Sequence, residues 1–567
     1  MGGISQKNLR VWILVAAVAT ATLASSAPAA TLDSAVILDH IKGGWTGQMA
    51  GVCWGAPTEF QYSGMIPDAN VPSWQPSWIN GGFDQDDLYV EMPFIQAMQA
   101  KGVNCSWTDY GNSFAQTTFE LWHANGQGRA NLRAGIPAPY SGHYSNNSHA
   151  DDIDWQIEAD FAGMVNPGQV SAAMDVAWRG GHVMNYGDGV YGGVAVAAMH
   201  AAAFTAPSLG QVIEAGRTAL PAGSQYRMAV DDAIAGYNQG LTWQQNWTFL
   251  DQKYHLSPTY TGHACRQQGW PLDIDAKLNG AYVFLGLLYG QNTDGSVDME
   301  RGMRVAMQCG QDSDCNPSNV GGIIGNFLGY SQIPDKFKSA LSPTMTFSGT
   351  SMTLDGAVSA TYDLAAKSVA MTGGFSSGPT WTVPDRPEQP IVFEQWPSVA
   401  NPAPVLSASV SILPDGTLQC QASATDANGI REYQWFFGDL SFAAGAGTAH
   451  KYVAPGSYEV ICYVADTTGN TSWQSFEIQA GPHAGDADGN GAVDVVDLGI
   501  LAKYYDTAAD AAWQMGDFSG DGAVNVVDLG VLAKNYDWTA DSGQVPEPAG
   551  LTLLALGALS LRRRARR

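Results

Sequence analysis

Five carboxylate residues stand in three short turns that lie far apart in the sequence. In chain order they are Glu59, the adjacent pair Asp86 and Asp87, and the alternating pair Asp312 and Asp314. Side chains two apart in an extended or turn segment lie on one side of the chain, and carboxylate oxygens are the ligands that hard divalent cations prefer. Several carboxylates in one cleft repel one another unless cations neutralise them. The pattern therefore predicts a site for Mg²⁺, Mn²⁺ or Ca²⁺.

Each turn taken alone has a simpler interpretation, because aspartate is a common helix N-cap and a common turn residue. Asp86 and Asp87 open a helix-like segment, where negative charge is favourable. The metal interpretation requires all three turns to meet in the folded chain.

The elements that must position these turns lie in residues 31–340, where small and apolar residues recur every three to four positions. The helical segments are 34–49, 88–100, 190–203, 208–220, 227–236 and 276–288. Glycine, proline and asparagine turns separate them, so an all-α domain is predicted. Residues 342–398 carry short β-like runs and one possible helix, 354–371, and we interpret them as an appendage to the domain.

Residues 402–480 change to alternating strand patterns, with strands predicted at 417–424, 433–439 and 458–466. Trp435 lies between Cys420 and Cys462, the arrangement of a β-sandwich of the immunoglobulin type. A disulfide between Cys420 and Cys462 is plausible. A module that spaces or presents its neighbour is favoured over a sugar-binding module, because a buried tryptophan is the usual core of such sandwiches.

Residues 484–540 contain a duplicated acidic unit. Oxygen side chains fall at positions 1, 3, 5, 9 and 12 of each loop, with glycine at position 6, which is the EF-hand arrangement for Ca²⁺. The predicted ligands are Asp486, Asp488, Asn490, Asp494 and Asp497 in the first loop, and Asp517, Ser519, Asp521, Asn525 and Asp528 in the second.

Both ends of the chain have the composition of targeting segments. Residues 1–30 combine Lys7 and Arg10 with an apolar run and a small-residue site, which predicts a cleaved signal peptide and an exported protein, secreted or at the cell surface. Residues 544–567 combine a Val-Pro-Glu-Pro motif, a short apolar run and an arginine cluster. This tail predicts at most a transient membrane contact, and a simple membrane anchor is the alternative.

The chain is strongly acidic, with 27 basic and 53 acidic residues and a formal charge of -26. Removal of the two terminal segments deletes seven basic residues and makes the balance still more negative. This composition excludes nucleic acid as a partner and suits a protein that binds cations. Seven cysteines in 567 residues exclude a disulfide scaffold.

The three acidic turns, in this order, resemble the ADP-ribosylglycohydrolase family. The resemblance covers about residues 35–395 and rests on segments 51–59, 85–88 and 311–316. It implies an all-α fold with two divalent cations, Mg²⁺ or Mn²⁺, at one end of the bundle. Asp86, Asp87, Asp312 and Asp314 would be metal ligands, with Glu59 a ligand or the catalytic acid/base that activates water.

Four positions depart from the family pattern. Gln85, Leu88 and Cys315 stand where the family has threonine, and Val52 stands where it has aspartate. A thiol is a poor ligand for Mg²⁺, so one metal position is altered, weakened or lost.

A polar segment at 140–158 offers further residues for a substrate cleft, namely His149, Asp151, Asp152, Asp154 and Trp155. A solvated loop that caps a helix is an equally good interpretation of this segment. Asp188 is another candidate, because its surroundings resemble the family's mid-domain loop.

The later segments resemble three further families. Residues 402–480 resemble PKD-type modules, residues 484–540 a type I dockerin, and the tail a PEP-CTERM sorting signal that is cut during export. A dockerin implies a partner that carries a cohesin.

The favoured function is a metal-dependent hydrolase of a glycosidic bond to a ribose-like or ADP-ribosyl sugar. Export and a dockerin suit extracellular glycan better, so a hydrolase of extracellular polysaccharide is the close alternative. A noncatalytic surface protein that binds sugar is the third.

Overall fold

The structure is a computed structural model that describes residues 30–257, 259–260, 262–263, 273–384, 389–397, 401–508 and 511–540. The predicted signal peptide, except for its last residue, and the predicted sorting signal lie outside these residues. None of the helices in the described ranges has the length and apolar character needed to cross a bilayer.

The first part of the chain is helical, as predicted. Its helices are α1 (Ser34–Gly55), α2 (Asp86–Tyr89), α3 (Glu91–Lys101), α4 (Trp107–Ala115), α5 (His123–Arg133), α6 (Asp154–Ile157), α7 (Asp160–Met164), α8 (Val170–Gly181), α9 (Asp188–Ala203), α10 (Leu209–Ala219), α11 (Gln225–Asn238), α12 (Trp243–Leu250), α13 (Ala276–Tyr289), α14 (Met299–Gln308), α15 (Cys315–Leu328) and α16 (Leu354–Met371). They surround one apolar core.

Helix α1 packs along α15 through glycines repeated every fourth residue, which is one face of a helix. A Cβ atom added to Gly47 would lie 2.0 Å from the Gly321 carbonyl oxygen, and one added to Gly51 would lie 1.9 Å from that of Pro317. Only hydrogen fits at these positions. The contact therefore holds the end of α1 against the beginning of α15.

The appendage is part of the helical domain. Strand β1 (Ala30–Asp33) pairs antiparallel with β2 (Thr380–Val383), so the two ends of the domain are joined in one small sheet. Helix α16 packs on α1, and Trp45 Nε1 donates a hydrogen bond of 3.2 Å to Thr361 Oγ1.

Residues 405–480 form the predicted β-sandwich. Its strands are β3 (Val405–Ile412), β4 (Leu418–Thr425), β5 (Ile430–Phe436), β6 (Phe442–Ala444), β7 (Gly447–His450), β8 (Gly456–Asp466) and β9 (Thr471–Ala480). One sheet has the order β3-β4-β7 and the other the order β6-β5-β8-β9.

Cys420 and Cys462 lie in the core between the two sheets, beside Trp435. Both are free thiols here, so the predicted disulfide is not formed in this structure. Burial raises the pKa of each thiol to about 12. Neutral buried cysteines pack as small apolar side chains, and they serve that role in this core.

The sandwich is packed firmly against the helical domain, which a spacer would not require. Trp178 of α8 stacks on Phe436 of β5, with ring centroids 3.8 Å apart and planes 9° apart. Glu394 is fully buried between the two parts and accepts hydrogen bonds from Gly187 N at 3.1 Å and Tyr463 Oη at 2.9 Å. Apolar residues of β5 and β8 belong to the core of the helical domain.

We expect Trp178→Ala to destabilise the full chain by about 3 to 5 kcal/mol, because it removes a buried aromatic contact between the two parts. Trp122→Ala is the matched control, since Trp122 is half exposed. Thermal unfolding of both variants measures the difference. Equal melting temperatures would show that the sandwich is only tethered.

The described part of the chain ends in two similar units, each a loop followed by a helix. Helix α17 (Val495–Tyr504) follows the first loop and α18 (Val526–Asn535) follows the second. Apolar side chains from both units share a small core of their own.

Candidate active site

The glycine contact between α1 and α15 also places the first and third acidic turns side by side. A Cβ atom at Gly55, the last residue of α1, would lie 2.2 Å from the Ser313 carbonyl oxygen. Thr58 Oγ1 and Ser313 Oγ share a hydrogen bond of 2.9 Å. Glu59, which follows at once, is therefore held beside the turn that carries Asp312 and Asp314.

Asp312 and Asp314 are buried at the start of α15, with 5% and 2% of their surface exposed. Asp312 Oδ1 accepts a hydrogen bond of 3.4 Å from Cys315 N, and the charge of Asp312 acts on the neighbouring carboxyl group of Asp314. One oxygen of Asp314, Oδ1, is buried and has no hydrogen-bond partner among the described residues.

The second acidic turn, which carries Asp86 and Asp87, lies beside the other two. Asp86 opens α2 and is half-buried, whereas Asp87 is fully buried. Asp87 Oδ2 accepts a hydrogen bond of 3.4 Å from Cys315 Sγ, and its Oδ1 has no partner among the described residues. Cys315 thus contacts the cluster as a hydrogen-bond donor, and burial keeps the pKa of its thiol well above the ordinary value.

Glu59, Asp86, Asp312 and Asp314 line the wall of one cavity of about 720 Å³, whereas the fully buried Asp87 is not among its lining residues. Its acidic lining residues are Glu59, Asp84, Asp86, Glu120, Asp154, Asp312 and Asp314. Phe60 and Trp122, with 40% and 51% of their surface exposed, also line it. The described lining contains no lysine or arginine that could neutralise the carboxylates.

Asp154 is a site residue that the sequence-based ligand set omits. Its Oδ2 accepts a hydrogen bond of 2.6 Å from Asn125 N near the start of α5. Burial, followed by charges that include those of Asp86 and Asp312, raises the pKa of Asp154 well above its ordinary value. Behind it, buried Glu158 accepts from Asn125 Nδ2. The alternation of Asp152 and Asp154 repeats that of Asp312 and Asp314, and this was the signal available in the sequence.

Burial raises the pKa of six carboxyl groups at the site, those of Glu59, Asp86, Asp87, Asp154, Asp312 and Asp314. Burial, followed by the charges of Asp314 and Asp86, raises the pKa of Glu59 to about 8. Burial raises the pKa of Asp312 to about 7, and the pKa values of Asp87 and Asp314 lie well above the ordinary range. Such a group of acids, with orphaned buried oxygens, fits a site for divalent cations.

We expect the cation-free protein to lose stability as pH rises from about 5 to 8. The unfolded pKa values of Asp312 and Glu59 are near 4, so the folded state keeps protons that the unfolded chain releases. Their contribution is complete below about pH 4 and disappears as pH passes the folded values of about 7 and 8.

Thermal unfolding in a chelator at both ends of this range measures the effect, and millimolar Mg²⁺ is expected to restore the lost stability at the higher pH. A melting temperature in chelator that holds steady or rises with pH would contradict the proposed cluster.

Of the residues predicted for the substrate cleft, Asp154 lines this cavity, whereas His149, Asp151, Asp152, Trp155 and Asp188 are not among its lining residues. Asp152 is buried and bonded to the backbone of α5, with Ala124 N donating to its Oδ2 at 3.1 Å. Asp151 Oδ2 accepts from His263 N at 2.6 Å, and Asp188 lies 3.9 Å from buried Lys277 Nζ. Their charges are used in internal packing, which explains why they do not face the cavity.

His149 is separated from the cavity by a single side chain, that of His123. Its imidazole meets that of His123 edge to face, with ring centroids 5.3 Å apart. His123 is itself a lining residue, so His149 is one side chain away from the cavity.

The predicted Ca²⁺ loops bring carboxylates together in both copies. Asp486, Asp488 and Asp497 have ligand atoms within 4.8 Å of one another, as do Asp517, Asp521 and Asp528. The other four predicted ligands make local hydrogen bonds: Asp494 caps α17, Asn525 caps α18, Asn490 donates to Asp488, and Ser519 donates to Asp517.

Solved structures offer distant likenesses. A chain of an "ADP-ribosylglycohydrolase-related protein complex" is 14% identical, with a TM-score of 0.40, and the match covers 58% of this chain and 98% of that chain. The PKD1 domains of the Vibrio cholerae metalloprotease PrtV and of Vibrio anguillarum Epp are 26% and 23% identical, with TM-scores of 0.13 and 0.14. Each of these covers 14% of this chain and 98% of its own. No curated protein matches the chain.

Family matches divide the chain in agreement with its architecture. Residues 399–480 match the PKD domain, which is the β-sandwich. Residues 33–367 match ADP-ribosylglycohydrolase, and this segment is more than half of the chain and holds the carboxylate cavity. The chain therefore belongs to the ADP-ribosylglycohydrolase family, with a PKD domain after its hydrolase-like helical domain.

Proposed function

We propose that this protein is a metal-dependent hydrolase that cleaves a glycosidic bond to a ribose-like sugar. The observation that carries the proposal is the cluster of buried and half-buried carboxylates from three distant turns, at a cavity whose described lining has no lysine or arginine. Such clustering costs free energy unless a cation is bound, and function is the usual reason for retaining that cost.

Asp86, Asp87, Asp312 and Asp314 would hold two cations, Mg²⁺ or Mn²⁺, and Asp154 is placed to complete the set. Cations bound there would supply charge that orients a sugar diol and stabilises the reacting oxygen atoms. The unpartnered oxygens of Asp87 and Asp314 are the free donor atoms of this set. Cys315 does not contribute as a ligand in this proposal, because its neutral thiol donates to Asp87.

Glu59 is the acid/base in the proposed reaction. It lines the cavity and is only partly buried, so it can reach both the substrate and solvent. The pKa of about 8 leaves it protonated near neutral pH when no cation is bound, and nearby cations lower it toward working pH. In this range a carboxyl group can take a proton from an attacking water and return one to a leaving group.

The substrate is a compact sugar conjugate in this proposal. A cavity of about 720 Å³ accommodates a small ligand, and the exposed rings of Phe60 and Trp122 offer apolar faces for a sugar or base. An extracellular pentofuranoside fits the same features. Such a substrate agrees better than an ADP-ribosyl conjugate with the proposed export to the cell surface or medium.

Turnover by the purified protein in Mg²⁺ or Mn²⁺, assayed against ADP-ribose conjugates and pentofuranosides, tests the proposal. Hydrolysis of either class that a chelator abolishes and added metal restores would support it. A protein that binds these sugars without turning them over would instead be a noncatalytic sugar-binding protein.

We also propose that residues 484–540 form a calcium-dependent dockerin that binds a cohesin-bearing partner. Each loop gathers three carboxylates, and the two loop-helix units pack on a shared core. We expect calorimetry of the full chain to find two Ca²⁺ ions bound there. Asp497→Asn and Asp528→Asn should each remove one, because each loses a carboxylate at position 12 of its loop.

Asp506→Asn is the matched control for the calcium experiment. Asp506 lies between the loops, and asparagine tolerates its backbone angle φ of +70°. Binding that both loop variants leave unchanged would contradict the calcium proposal, independently of the hydrolase.

A further inference from the structure

We propose a third cation site, formed by His123, His149 and Asp152, which binds a zinc-like transition metal at the wall of the cavity. One ligand atom from each of the three residues lies within 4.8 Å of the others. A cation with bonds of about 2.0 to 2.2 Å holds tetrahedral ligand atoms about 3.4 Å apart, so adjustments of about 1 Å complete the site. The site is separate from the carboxylate cluster and does not depend on the proposed hydrolysis.

The carboxylate of this site is fixed in place before any metal binds. Asp152 Oδ2 accepts from Ala124 N at 3.1 Å, and its Oδ1 accepts from Asn185 Nδ2 at 3.2 Å and Asp154 N at 3.1 Å. Oδ1 uses both of its lone pairs in these bonds, whereas Oδ2 keeps one lone pair for a cation. Hydrogen-bonded carboxylates of this kind are typical supports of metal sites.

The two histidines are also held by the surrounding chain. Asn147 Oδ1 accepts from His149 N at 2.9 Å, and Asn147 Nδ2 donates to Ala124 O at 3.0 Å. Asn147 therefore ties the loop that carries His149 to the helix that begins with His123. The two imidazole rings contact each other, with their planes at an angle of 62°.

Two observations indicate that this arrangement serves a ligand. His149 Nδ1 is buried and has no hydrogen-bond partner among the described residues, an arrangement that is unfavourable unless a ligand satisfies this nitrogen. His123 has a backbone angle φ of +33°, a region that residues other than glycine seldom occupy. That strain is maintained at the position that directs an imidazole toward His149 and Asp152.

The donor set decides which cation binds. Two imidazoles and one carboxylate favour Zn²⁺, Co²⁺ or Ni²⁺, whereas Mg²⁺ prefers oxygen ligands and octahedral geometry. Three protein ligands leave a fourth position for water or an anionic group. Because His123 lines the cavity, that position is accessible from the space beside the carboxylate cluster.

Cobalt binding to the full chain tests this site. In excess Mg²⁺, which fills the carboxylate cluster, Co²⁺ is expected to bind as one equivalent and to develop the visible absorption of a tetrahedral nitrogen-containing site. His149→Ala and His123→Asn should weaken this binding by about 100-fold or more, beyond what losing an outer partner costs. Asparagine is chosen at position 123 because it tolerates the left-handed backbone.

His143→Ala and Asp312→Asn are the controls, and both should retain the cobalt spectrum. His143 lies in the same loop as His149, but its Nδ1 is bonded to Ser145 Oγ. The proposal is overturned if wild-type protein develops no cobalt band in Mg²⁺ or if His149→Ala binds as tightly as wild type. It is also overturned if Asp312→Asn abolishes the band, because the cobalt would then occupy the carboxylate cluster. Circular dichroism verifies that each variant is folded.

Discussion

Replacing Asp314 with asparagine is expected to abolish hydrolysis and, at the same time, to raise the stability of the cation-free protein. Asp314 is buried, carries an oxygen without a partner, and has a pKa well above its usual range because of burial and the charge of Asp312. An amide removes both the repulsion and a cation ligand. Losing about 4 kcal/mol of transition-state stabilisation would lower kcat/KM by about 1,000-fold.

Two measurements separate this result from misfolding. Melting temperature in a chelator should rise for Asp314→Asn, and the gain in stability on adding Mg²⁺ should shrink. Asp335→Asn is the control, because Asp335 is exposed and pairs only loosely with Lys338 at 3.8 Å. A variant that retains activity, or one that is less stable in chelator, would count against the cation cluster.

Gly51→Ala is expected to impair folding strongly although it adds only one methyl group. The new Cβ would lie 1.9 Å from Pro317 O and 2.6 Å from Ser318 N, and both are backbone atoms that cannot move aside alone. Overpacking of this kind costs about 1 to 3 kcal/mol or more, and here it must separate α1 from α15. Affinity for Mg²⁺ should fall as well, because the same contact holds Glu59 beside Asp314.

Gly210→Ala provides the matched control for this substitution. Gly210 is also in a helix of the same domain, α10, but its added Cβ would lie 3.5 Å from Gln291 Oε1, an ordinary contact. Gly210 is exposed in the first turn of α10, and alanine has a higher helix propensity than glycine, so this variant should be neutral or slightly stabilised. Equal melting temperatures for the two variants would show that the α1 and α15 backbones have room between them for a methyl group.

Local patterns in the sequence were sufficient for most elements. All six predicted helical segments overlap helices of the structure, and the possible helix at 354–371 is α16. The strands predicted at 417–424, 433–439 and 458–466 overlap β4, β5 and β8. Apolar periodicity predicts such elements because each one must bury a face of its own.

These local patterns could not predict which residues distant in the sequence pack against one another. Asp154 joins the site only because α5 supplies the backbone N–H groups that orient it, and that pairing spans 29 residues with no local signature. The burial of Trp178 against Phe436 is equally invisible, because an aromatic residue in a helix is interpreted as part of its own domain's core. The disulfide predicted from the order of Cys420, Trp435 and Cys462 was wrong for this structure, because sequence order does not determine whether two buried thiols are oxidised.

The shared aromatic surface between α8 and β5 determines how this gene could be rearranged. A break placed near residue 400 would expose Trp178 on one fragment and Phe436 on the other, and each fragment would need a new partner for an apolar face. A break after residue 480 would spare that surface. Recombination that adds or exchanges modules in such chains is therefore expected to carry the sandwich along with its helical neighbour and to vary the modules on its C-terminal side.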